Sequence, residues 1–98
     1  MTSINSLQAE IDDLQERSDK SKNMALIAER NAENYDANGI PDKANLERSV
    51  AAQRLNEVRD FKNNINSKES ERQKLIAQVE RIDADIANLE NERSKLIG

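Results

Sequence analysis

The 98-residue chain has no cysteine, no histidine and no tryptophan, a single proline (Pro41), two glycines (Gly39 and Gly98) and two aromatic residues (Tyr35 and Phe61). Each scarcity removes a class of function. Without cysteine there is no disulfide framework and no thiolate to attack or ligate. Without histidine the commonest general base, metal ligand and physiological pH switch are gone. No Ser/His/Asp or Cys/His set can be assembled, and two isolated glycines cannot build a phosphate-cradling loop. The longest unbroken apolar run, Met-Ala-Leu-Ile-Ala at 24–28, is too short to cross a bilayer or to form a signal-peptide core. The expectation is a soluble protein of the cytoplasm, or of the inside of a particle or virion assembled there.

Charge is plentiful but mixed. Fifteen basic and nineteen acidic residues leave a formal charge of −4, with both signs interspersed. Arg54, Arg59, Lys62, Lys68, Arg72 and Lys74 give one stretch a basic character. Glu57, Asp60, Glu69 and Glu71 interleave with it, and Phe61 is the only ring nearby, so no nucleic-acid surface is expected. The acidic pairs Asp12/Asp13, Asp83/Asp85 and Glu90/Glu92 are the only candidates for a metal or an acid–base couple. Residues two apart on a helix point to different faces, so Asp83/Asp85 and Glu90/Glu92 cannot converge by themselves. No catalytic residue, metal site, cofactor, membrane or small-molecule substrate is expected.

With hydrophobic residues at 36% and charged residues at 35%, the chain cannot fill a thick globular core. It can sustain a thin seam between long helices, and its apolar residues are spaced for one. Leu75, Val79, Ile82, Ile86, Leu89, Arg93 and Leu96 alternate strictly between steps of four and three, the heptad repeat of a coiled coil. Taking Val79, Ile86 and Arg93 as a positions places Leu75, Ile82, Leu89 and Leu96 at d. This stripe is the candidate protein interface.

The same phase runs through the rest of the chain. It begins Ile4, Leu7, Ile11, Leu14, Ser18, Ser21, Ala25, Ala28, Ala32, Tyr35, which predicts a first helix over about 4–36, capped by Ser3 or Asn5. Asn38-Gly39-Ile40-Pro41 then stops it within a turn at 37–41. Gly39 suits the position after a helix end, where φ is positive. Pro41 suits the first turn of the next helix, and Asp42 complements its dipole. The phase resumes at Ala44, Glu47, Ala51, Arg54, Val58, Phe61, Ile65, Lys68, Arg72 and Leu75, predicting a second helix over about 42–97. A connection this short favours antiparallel neighbours.

The expected fold is therefore all-α: a single elongated antiparallel helical hairpin whose longer second helix overhangs as a coiled-coil arm. The alternative is a three-helix bundle, since Asn66-Ser67-Lys68-Glu69 reads as a capping box that would break the second helix at 66–69. Folding at 38–40 sets Tyr35 near Ala44, Ala28 near Ala51, Ser21 near Val58 and Leu14 near Ile65, with small residues meeting larger ones along much of the seam. Ile11 and Leu7 face Lys68 and Arg72, whose aliphatic stems cover them while the charges reach water. Met24, Leu26 and Ile27, with Leu46, Val50 and Leu55, are expected to widen the contact near the turn, the alternative being that Met24, Leu26 and Ile27 form a docking patch for another subunit.

On this reading the first helix ends opposite Leu75, and the best apolar stripe in the chain has no intrachain cover. Its flanking e and g positions include Asp83, Asp85, Glu90 and Glu92. In a parallel homodimer Asp85 meets Glu90 of the other chain, so the pattern permits self-association but suits a partner with basic flanks better. The expected function is that of a non-catalytic coiled-coil structural or assembly protein, such as a scaffold, adaptor or small particle subunit. It would act through helix–helix contact with a protein partner or as a homo-oligomer. The alternative is a small helical regulator or inhibitor that binds a target protein.

Overall fold

A computed structural model describes residues 3–97, which form two helices and the turn between them. Helix α1 spans Ile4–Ala37 and α2 spans Pro41–Ile97, 34 and 57 residues long. Ser3 is the N-cap of α1, its Oγ accepting from the Ser6 N–H at 3.0 Å. That satisfies one of the donors a helix start leaves free.

The turn is closed by backbone chemistry that the local sequence dictates. The Ile40 N–H donates to the Tyr35 carbonyl at 2.8 Å, and the Gly39 N–H to the Asp36 carbonyl at 3.1 Å. These are the two bonds of a Schellman motif, whose residue after the cap must take a left-handed conformation. Gly39, with φ of +73°, is that residue, and it has the only positive φ among the described residues. The Ile40 carbonyl already accepts from the Ala44 N–H at 3.2 Å, so Ile40 caps α2 and Pro41 is its first helical residue. Proline is suited there because its missing N–H would have had no partner. Above the turn, the Lys43 ammonium stands 5.8 Å from the centre of the Tyr35 ring, within cation–π range.

The helices run back along each other in the phase the sequence sets. Every heptad seam position from Ile4 to Tyr35 and from Ala44 to Leu75 is buried or half-buried. Outside the seam, only Gln8, Asn31, Glu57 and Ile76 are even half-buried among the described residues. Among the described residues Leu7 is the one large side chain wholly removed from solvent. Near the turn the core is alanine (Ala25, Ala28, Ala32, Ala44, Ala51), which lets the backbones approach closely. Further along, Ser18 and Ser21 lie in the seam opposite the region of Val58 and Phe61. Ser21 Oγ donates to Glu57 Oε2 at 3.1 Å, and Arg54 holds the same carboxylate oxygen at 3.1 Å. A buried hydroxyl thus finds its acceptor on the facing helix.

Three further contacts tie the helices in register: Arg48 to Asp36, Lys68 Nζ to Glu10 Oε2 at 3.0 Å, and Arg72 Nη1 to Gln8 Oε1. Lys68 and Arg72 do lie over Ile11 and Leu7, which are buried, but their charged heads are held by the α1 side chains Glu10 and Gln8. The Arg72 Nε is buried and has no hydrogen-bond partner.

Helix α2 runs unbroken through 66–69, as expected, and the alternative three-helix bundle does not form. Lys68 and Arg72 are engaged by α1, so the seam is covered through this polar stretch and the helix has no reason to turn. Contrary to expectation, Met24, Leu26, Ile27, Leu46, Val50 and Leu55 do not widen the contact: all are exposed, from 42% at Val50 to 68% at Leu46. Two helices in contact cover only the narrow a/d stripe of each, and these six lie off it. The resulting rod measures 88 × 18 × 14 Å, with a radius of gyration of 24.4 Å. A globular chain of this length would have a radius of about 13 Å.

Candidate protein interface on the overhanging arm

Helix α1 begins opposite Leu75, and α2 continues for some twenty residues beyond it, about 30 Å at 1.5 Å per residue. Every residue from 77 to 97 is exposed. Leu75 is half-buried at the hairpin's open end, so of the seven predicted interface residues it alone is held by the hairpin. Val79, Ile82, Ile86, Leu89 and Leu96 stand free at 47, 56, 48, 62 and 89% exposure, with Arg93 among them. Values near one half are what a helix gives when only its own turns shade a side chain. Together these residues present on the order of 500 Å² of apolar surface, a size at which a patch on a monomer is often functional.

The stripe does not start afresh on the arm. A shallow hollow of about 240 Å³ lies where α1 begins, lined by Ser3, Ile4, Leu75, Gln78, Val79 and Ile82. It joins the last covered layer, Ile4 with Leu75, to the first uncovered ones, Val79 and Ile82. The groove that α1 fills along the hairpin therefore runs without a change of phase onto the arm.

Chemistry other than packing is sparse. The arm's e and g positions carry Asp83, Asp85, Glu90 and Glu92, with Gln78 and Ile97 and no cation. Among the described residues no group of three or more acidic side chains is placed to hold a metal ion. Likewise, no helix is long and apolar enough to cross a membrane. Sequence reasoning did not find the partners that Gln8 and Glu10 give to Arg72 and Lys68. The signal was present in their heptad positions, e and g, which flank the seam.

The fold and the exposed stripe together define an all-α helical hairpin with an unpartnered coiled-coil extension. Comparisons with protein-family models, with curated proteins and with solved structures find no match.

Proposed function

We propose that the chain is a non-catalytic structural or assembly protein that joins other molecules through its arm by helix–helix packing. The observation that carries this reading is the continuity of the seam: an uninterrupted heptad stripe is covered as far as Leu75 and bare from Val79 onward. An isolated helix of about twenty residues is marginal in water, and most helix stability in proteins comes from packing an apolar face. A stripe of Val, Ile and Leu in heptad register on such a segment is spent only when a second helix lies on it.

The hairpin serves as the mount. Its own seam is closed by α1, its turn is fixed by Gly39 and Pro41, and the crossing contacts hold α2 straight to the point where the arm departs. The arm's orientation is therefore set by a body that does not need the partner in order to form.

The test is the triple variant Ile82→Ser/Ile86→Ser/Leu89→Ser. It is expected to keep the thermal midpoint of the hairpin, followed by Tyr35 fluorescence, and to lose the association of the native chain with itself or with a heptad-patterned helix. A variant that still associates as the native chain does would refute the arm as the contact. So would collapse of the hairpin, which would make the arm part of the core.

A further inference from the structure

The arm's occupant can be narrowed by the way this protein matches charges across the seam it already closes. Four side-chain hydrogen bonds cross between α1 and α2 among the described residues. Ser21 donates to Glu57, Arg48 to Asp36, Lys68 to Glu10 and Arg72 to Gln8. Each joins a donor to an acceptor, and in three of them α2 supplies the cation and α1 the oxygen. On the arm this relation reverses. The flanking positions offer only acceptors, from Asp83, Asp85, Glu90 and Glu92, and no donor beyond Gln78.

A second copy of the chain fits this surface poorly in either direction. In a parallel pair Asp85 lies beside Glu90 of the other copy. In an antiparallel pair e flanks e and g flanks g, so Asp83 and Glu90 share one side with Ile97 alone and Asp85 and Glu92 share the other with Gln78 alone, and no register of the two arms brings a flanking cation to these acids. Like charges at such positions repel. Arg93 at its seam position can answer one of these acids but not four.

Resting on the reading of the arm as a packing surface, we infer that its occupant is a helix of a different protein. That helix carries apolar residues at three–four spacing and lysine or arginine at the positions flanking them. It also offers one acceptor near Arg93, in the role that Gln8 plays for Arg72 in the hairpin. Its end enters the hollow between Ile4 and Val79, so the cover that α1 gives α2 continues without a gap. The acids select this partner, and the apolar stripe holds it.

The experiment uses the full chain and two synthetic three-heptad helices with the same Ile and Leu seam, one with lysine and the other with glutamate at every e and g position. Binding is read by fluorescence anisotropy, and the mass of the chain alone by sedimentation equilibrium. The expected result is a monomeric chain that binds the lysine-flanked helix at least about tenfold more tightly, a preference that weakens with added salt. The variant Asp83→Lys/Asp85→Lys/Glu90→Lys/Glu92→Lys should invert that preference. Equal binding of the two probes would overturn the inference while leaving the arm as a packing surface. So would a dimer of the native chain that Ile86→Ser abolishes. A monomer that binds neither probe would overturn both this inference and the function on which it rests.

Discussion

Replacing Ala28 by leucine tests how closely the two helices approach. Ala28 is 3% exposed, and the register fixed by Glu10–Lys68 and Ser21–Glu57 puts it opposite Ala51, itself 4% exposed. Two alanines in facing positions leave no room for three added carbons. The leucine must take a strained rotamer or push the helices apart, at about 1–3 kcal/mol. Helix propensity contributes little, because leucine ranks just below alanine. A domain of this size loses about 4–8 °C of melting temperature per kcal/mol, so the expected fall is roughly 5–20 °C. Tyr35 is the probe: it is the only tyrosine, there is no tryptophan to outshine it, and it sits half-buried at the turn end of the seam. Circular dichroism would also count the arm, whose helix is expected to melt first, so the two signals should not coincide. Leu26→Ala is the control. It removes apolar atoms from a side chain 52% exposed and should move the midpoint by no more than about 0.5 kcal/mol. If Ala28→Leu left the Tyr35 transition unchanged or raised it, the alanine seam would not be the line of closest approach.

Two further substitutions probe the turn and the polar end of the seam. Gly39→Ala should destabilise the hairpin by about 1–2 kcal/mol, because an L-residue there must hold a left-handed backbone. An added Cβ would meet nothing within 4 Å, so the loss is conformational alone, and urea titration showing no loss would mean that the Schellman turn is not what closes the hairpin. Arg72→Met should be neutral or stabilising, since it keeps the stem over Leu7 and removes a buried Nε that has no partner. A loss above about 2 kcal/mol in the same titration would show that its bond to Gln8 outweighs that penalty.

The seam was legible in the sequence because a two-helix contact buries a stripe of fixed period. Ala25, Ala28 and Ala32 could be assigned inward as securely as Leu7 and Ile11, although alanine itself says little about burial. The turn was legible because Gly39 and Pro41 each have a narrow backbone range that only one arrangement of helix end and helix start uses. The continuity of α2 across 66–69 was legible in the unbroken phase, but the local sequence speaks both ways, since Asn66 and Glu69 carry the same signal whether or not a cap forms. What decides it lies about sixty residues away in sequence, where Glu10 and Gln8 hold Lys68 and Arg72. The six exposed apolar residues misled for a related reason: hydrophobicity does not report direction, and Leu26, Ile27 and Leu46 lie behind the contact. The bare stripe from Val79 to Leu96 was legible from its spacing alone, because the period of the seam does not change where α1 ends.

The unequal lengths of the two helices fix the distance between the turn and the bare end of α2. The turn at 38–40 and the first bare layer at Val79 are separated by the whole of α1, about 50 Å of rise. Anything attached at the turn is held that far from whatever lies on the arm, and in a fixed angular relation to it. Adding seven residues to each helix of the hairpin would lengthen this separation by about 10 Å and keep the seam in phase. Adding four to each would lengthen it less and turn the arm's sticky face away from its former bearing. Reach and bearing are thus coupled in this molecule through the repeat that also holds it together.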